Sequence, residues 1–182
     1  MKTNNYIREP FISKINYHID DRGELSRIFC QNQIKKKKIN FLVKQVNYVI
    51  VKKKGTIKGM HFQIEPFAEI KLVSVLKGRI YDVLIDIRKG SKTFLKKKKF
   101  VLNAKKREIL IIPKGFAHGF QTLTDKCEIL YCHSQFYNLK KERSINPFDK
   151  SINIKWPIKL SNISKKDKKV KLIKNIFKGY SV

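Results

Sequence analysis

Thr56-Ile57-Lys58-Gly59-Met60-His61-Phe62-Gln63 lies between the turn signal Lys54-Gly55 and Pro66, and its short apolar run reads as a β-strand. Working outward, similar runs rich in Val, Ile, Leu, Phe and Tyr recur from Phe41 to Val51, Ile70 to Leu76, Arg79 to Ile87, Phe100 to Leu102, Glu108 to Ile112, Ala117 to Leu123 and Cys127 to Tyr137. Lys77-Gly78 reads as a tight hairpin, and Thr124-Asp125-Lys126 as a further turn. Many short strands in one chain of 182 residues predict an all-β domain, closed as a double-stranded β-helix (jelly roll) or barrel with a cavity at its mouth.

A hydrophobic fraction of 42% is enough for one core and too little chain for two ordinary domains, so residues 1–182 are expected to form a single unit. Its N-terminal arm would cover about residues 1–40, with a turn at Arg22-Gly23. From Ser164 onward, Val170, Ile173, Ile176 and Phe177 recur at roughly helical spacing between lysines, which predicts an amphipathic C-terminal helical segment over about 164–180. The sequence contains no apolar run long enough to span a membrane and no apolar leader after Met1, so a soluble, cytoplasmic protein is expected. Cys30, Cys127 and Cys132 form neither an even set nor a Cys-x-x-Cys pair, which fits a reducing compartment. Cys127 and Cys132 read as packing residues on one strand.

The formal charge of +28 raises the question of nucleic acid. The cations are mostly lysine, however, and the runs Lys35 to Lys38, Lys52 to Lys54 and Lys96 to Lys99 sit between apolar segments as solvated loop and edge residues would. Arginine, which supplies bidentate recognition, is confined to Arg8, Arg22, Arg27, Arg79, Arg88, Arg107 and Arg143. No specific nucleic-acid partner is expected. The charge instead supplies a field that attracts anionic small molecules.

Two of the four histidines, His61 and His118, lie beside glycine in strand-like runs, and Lys71 lies in another such run between them. Strand histidines in a jelly roll raise the question of metal, but the His-x-His pair expected of a cupin-type site ends here in Gln63, a poor ligand. Glu65, Glu69 and His118 remain possible contributors to a metal site, and both histidines can equally be hydrogen-bonded core residues. The other reading is metal-free acid–base chemistry, with His61 as base, Lys71 as cation and Tyr131, in the apolar run Ile129-Leu130-Tyr131, as acid. Lys71 is costly to bury unless an anion pairs with it.

The ordered set Asp21-Arg22-Gly23, Gln45-x-Asn47, Gly59-Met60-His61-Phe62-Gln63, Lys71-Leu72-Val73, Asp82-Val83, Asp86-Ile87-Arg88, Pro113-x-Gly115-Phe116-Ala117-His118-Gly119-Phe120, Tyr131 and Trp156-Pro157 resembles the dTDP-4-dehydrorhamnose 3,5-epimerases, from about Asp20 to Asp167. The resemblance implies a homodimeric cupin-type jelly roll without metal or cofactor, acting on a nucleotide-linked 4-keto-6-deoxyhexose for surface polysaccharide synthesis. By the same resemblance His61 is the base, Asp167 its dyad partner, Lys71 the holder of the enolate oxygen and Tyr131 the acid on the opposite face. Gln45, Asn47, Lys58, His118 and Glu142 match substrate-binding positions, and Arg22 matches a residue that reaches the nucleotide, across the dimer. Three departures stand out. Lys58 replaces the usual arginine before Gly-x-His, Arg27 stands where many members carry glutamate, and the late Trp-Asn-Asp-Pro pattern is reduced to Asn146-Pro147-Phe148-Asp149, expected near the sugar or nucleotide.

Overall fold

The computed structural model describes residues 7–173 and 177–181. The strands are β1 (Phe11–Lys14), β2 (Asn16–Asp20), β3 (Gly23–Arg27), β4 (Gln45–Val51), β5 (Thr56–Gln63), β6 (Lys71–Lys77), β7 (Arg79–Asp86), β8 (Lys97–Asn103), β9 (Glu108–Ile112), β10 (Phe116–Thr122), β11 (Cys127–His133), β12 (Glu142–Ser144) and β13 (Asn162–Ile163). The short helices are α1 (Gln31–Lys36) and α2 (Lys165–Lys168), with a 3-10 turn at Ala104–Lys106. One sheet has the order β1-β9-β6-β11-β4; the other runs β12-β5-β10-β7-β8, with β13 also on β5, and β2 and β3 form a separate hairpin. This is a cupin-like jelly roll.

The apolar runs of β5, β7, β9 and β10 are continuous rather than alternating because both of their faces are covered. Along β9, Leu110 and Ile112 point between the sheets toward Val73, Leu84 and Phe120. Ile109 and Ile111 point outward, under Ile34, Ile39 and Phe41 of the α1 region. Along β7, Ile80 and Leu84 face the inner core, whereas Val83 and Ile85 pack outward with Ile145, Ile152 and Ile154 of the C-terminal half. Each such side chain contributes roughly 1.5–3 kcal/mol by leaving water.

Three expectations change. Lys77-Gly78 is not a hairpin: β6 and β7 belong to different sheets, and Gly78 is where the chain crosses between them. Its φ of +80° and a Cβ position only 2.5 Å from Thr124 Oγ1 leave no room for a side chain. The turn at Thr124-Asp125-Lys126 is the matching crossover, from β10 to β11.

The lysine run from Lys96 extends the short strand expected at Phe100 to Leu102, because Lys97, Lys98 and Lys99 pair with Ile85, Leu84 and Val83 in the edge strand β8. An edge strand tolerates lysines, since they keep other chains from pairing with it.

The C-terminal helix is only α2; residues 169–173 and 177–179 are not helical, and Ile176 lies outside the described residues. The polar side chains of Asn146 and Asp149 take the place of helical hydrogen bonds: Asn146 Nδ2 donates to Val170 O (2.6 Å), and Asp149 Oδ2 accepts from Ile173 N (2.6 Å). The Asn146-to-Asp149 motif therefore anchors this segment and does not line the cavity described below. Trp156 donates from Nε1 to Pro147 O (3.0 Å) and meets Tyr81 edge-on. Cys127 and Cys132 are buried on β11 as expected. Among the described residues no helix is long and apolar enough to cross a membrane.

Candidate active site

A cavity of about 220 Å³ opens between the two sheets. Strand periodicity fills one wall in pairs: Gln45 and Asn47 on β4, Tyr131 and His133 on β11, and Lys71 at the start of β6 with Glu69 just before it. The opposite wall carries Lys58 and His61 from β5 and His118 from β10, with Tyr137 and Glu142 nearby. Cross-strand pairing puts His61 directly opposite His118, Tyr131 opposite Asn47, and His133 opposite Lys71. Residues far apart in the chain therefore share one space.

His61 Nε2 lies 2.7 Å from Asp167 Oδ1. Asp167 is buried and reaches β5 from α2, where the Ser164 hydroxyl accepts from its backbone N–H (3.0 Å). Its second oxygen accepts from Gly59 N–H at 3.3 Å. Burial opposes its ionisation, yet the hydrogen bond and charge of His61, with Gly59 N–H, hold the carboxyl below its ordinary range. A carboxylate at Nε2 leaves the lone pair of neutral His61 on Nδ1.

His118 Nε2 meets Asp82 Oδ2 at 2.7 Å, both nearly water-free. Tyr131 lies between His118 (ring centroids 6.0 Å) and His133 (5.9 Å, stacked). Burial, and then the charge of Asp82, push its phenol well above the usual value, so it keeps its proton through the neutral range. Lys71 Nζ is 3.3 Å from Glu69 Oε1, the anion that a buried lysine needs. Glu142 accepts from the Tyr137 hydroxyl at 3.0 Å and pairs with Lys166.

Nine of the ten residues singled out from the sequence gather here, Asp167 through its bond to His61. Arg22 does not: it sits exposed at the tip of the β2–β3 hairpin, paired with Asp20 at 2.6 Å. Glu65, weighed as a metal ligand, pairs with Lys114 instead (3.1 Å). Among the described residues no three His, Cys, Asp or Glu side chains converge as metal ligands would. Sequence reasoning missed His133 and Tyr137 and saw Glu69 only as a metal candidate. The available signal for His133 was its place two residues beyond Tyr131, on the same strand face.

The model of the dTDP-4-dehydrorhamnose 3,5-epimerase family matches residues 4–175, nearly the whole chain. The chain belongs to this family. A family member from Shigella flexneri is 46% identical over 114 residues, which is 63% of this chain and 63% of the Shigella protein. The matched stretch thus spans slightly less than two thirds of that relative. Among solved members, the Bacillus anthracis epimerase with TDP and PPi bound superposes with a TM-score of 0.87 at 32% identity, covering 95% of this chain and 98% of the other. The Legionella pneumophila dTDP-6-deoxy-D-glucose-3,5-epimerase, in complex with dTDP-4-keto-L-rhamnose, gives 0.85 at 33% identity over 91% of this chain and 88% of its own. The epimerase scaffold is therefore present nearly end to end, and the motif Asp86-Ile87-Arg88 within it is structural: Asp86 gathers Arg88, Ser91 and Thr93 around one carboxylate.

Proposed function

We propose that this protein inverts C3 and C5 of dTDP-4-dehydro-6-deoxy-D-glucose, giving dTDP-4-dehydro-L-rhamnose for surface polysaccharide synthesis in the cytoplasm. The observation that carries this reading is the His61–Asp167 dyad on the same cavity as Lys71 and Tyr131. The 4-keto group acidifies the protons on both neighbouring carbons. His61 Nδ1 takes one of them, the C–H electron pair moves into the ring, and negative charge develops on the C4 oxygen. The Lys71 ammonium stabilises that enolate in a water-poor site. Tyr131 returns a proton to the opposite face, which inverts the carbon; exchange with solvent then takes the proton from His61 and restores the one on Tyr131, and the cycle repeats at the other position. Asp167 keeps imidazole oriented and steadies the imidazolium that forms. His118, Gln45 and Asn47 hold the sugar, and Lys58 and Glu142 border the route to the diphosphate.

The working form is a homodimer. Tyr17, Ile19 and Leu25 of the β2–β3 hairpin, and Val46, Tyr48 and Ile50 of β4, are large apolar side chains exposed in the single chain, as a partner surface would be. In this form Arg22 reaches the nucleotide in the partner's cavity. Incubation with the dTDP-, GDP- and CDP-linked 4-keto sugars, followed by NMR of the products, tests substrate and outcome together. Turnover of the dTDP compound to the doubly inverted sugar is expected. Inversion at one carbon, preference for another nucleotide, or binding without turnover would each replace this reading.

A further inference from the structure

A run of hydrogen bonds joins the cavity mouth to Lys71, and one backbone group sets the sense of all of them. Tyr137 N–H donates to Gln45 Oε1 (2.9 Å), so the amide nitrogen of Gln45 is the atom that meets Asn47 Oδ1 (3.0 Å). Asn47 therefore presents Nδ2 to His133 Nε2 at 3.3 Å. An amide N–H needs a lone pair there, which makes His133 neutral with its proton on Nδ1. That Nδ1–H donates to Glu69 Oε2 (2.8 Å), while Glu69 Oε1 faces Lys71 Nζ (3.3 Å). His61 and His118 differ: both turn Nε2 toward their carboxylates.

We propose that Glu69 and His133 are positioning residues for Lys71. Glu69 aims the ammonium, and neutral His133, locked by Asn47, ties up the second Glu69 oxygen so that the carboxylate engages Lys71 through one oxygen alone. Lys71 then has N–H donors left for the developing oxyanion. Both side chains are about as buried as Lys71 itself, at 6% and 11% exposure against 12%. Burial opposes the Glu69 charge, but Lys71 and His133 together hold its carboxyl below the ordinary range. The other titratable groups on the cavity are Tyr131 beside His133 on β11, Lys58 and His61 on β5, His118 on β10, and Tyr137 with Glu142 at the mouth. No second carboxylate among them bonds Lys71.

The inference rests on the epimerase reading, and the experiment separates the two. In the Glu69→Gln variant a neutral amide no longer holds the ammonium in place, so kcat falls by about tenfold with KM little changed. Glu69→Asp keeps the charge and recovers most of that loss. An equal loss in Glu69→Asp, a rise in KM without a fall in kcat, or unchanged activity would overturn the proposal. Ring ¹⁵N NMR of the unaltered protein gives a test that needs no variant to fold: with four histidines in the chain, a neutral Nδ1–H ring assigned to His133 is expected near pH 7. An Nε2–H ring or an imidazolium there would overturn it. Absence of turnover by the unaltered protein would remove the epimerase reading and this inference together, whereas normal turnover by the unaltered protein with no loss of kcat in Glu69→Gln removes this inference alone.

Discussion

Gly59 and Gly119 cross so closely between β5 and β10 that a Cβ on Gly59 would lie 2.5 Å from Gly119 Cα. The register slips at this point, between His118 and Phe120. This accounts for Gly59, two residues before His61, and for Gly119, next to His118: the close crossing brings two strands together where His61 and His118 enter the same space.

Gly119→Ala is therefore expected to destabilise the fold by about 1–3 kcal/mol, because its Cβ would meet Met60 Sδ at 2.5 Å and Lys58 O at 2.8 Å. Urea unfolding measures this, and stability equal to the parent would show that the crossing can relax.

Asp167→Asn keeps the shape of the side chain and removes the charge behind His61. We expect kcat to fall by about a hundredfold, within the roughly 10²–10⁴-fold range of general acid–base catalysis, with near-native circular dichroism. Steady-state kinetics that match the unaltered protein would mean that the dyad is only architectural.

Tyr131→Phe removes the proposed proton donor without touching the proposed base. Deuterium should then enter the substrate slowly with configuration retained, as NMR in heavy water would record. Full inversion by this variant would assign the acid to another group.

Arg22 and His61 act in one site from two chains in the proposed dimer. Co-refolded Arg22→Ala and His61→Asn variants should recover about a quarter of the unaltered sites, since half the dimers are mixed and each carries one complete cavity. No gain on mixing would place Arg22 in its own chain's site or outside catalysis.

Asp86 is 1% exposed. Its burial opposes ionisation, but Arg88, Ser91 and Thr93 outweigh that and hold its carboxyl at about 2, against 3.8 ordinarily. The native value lies below the unfolded one, so this stabilisation is complete above about pH 4 and is lost as the pH falls through about 2. Asp86→Asn should cost about 2 kcal/mol at neutral pH and progressively less in acid. A penalty independent of pH would assign the effect to packing.

The strands β5 and β9 were legible residue for residue, because their apolar runs are bounded by turn signals and buried on both faces. Other features depended on information from distant parts of the chain. Gly78 looks the same locally whether the next strand returns beside β6 or crosses to the other sheet. Lys97 to Lys99 look like loop residues until β7 supplies a neighbour. The C-terminal pattern has helical spacing, but Asn146 and Asp149 compete for its backbone groups. Within the site, His61, Lys71 and Tyr131 stood out as polar residues in apolar runs, whereas Asp167 came from family resemblance, since nothing local to it signals a partner 106 residues away. His133, and the pairing that gives Glu69 its place beside Lys71, stayed hidden because each of the two acquires its meaning from the other.

The central claim is that His61 removes the protons on C3 and C5 of the dTDP-linked 4-keto sugar. Deuterium incorporation in heavy water, followed by NMR for the unaltered protein and for His61→Asn, tests it most directly. The account predicts deuterium at both carbons with the unaltered protein and none with a folded His61→Asn variant. Exchange that persists in that variant, or none in the unaltered protein, would contradict it.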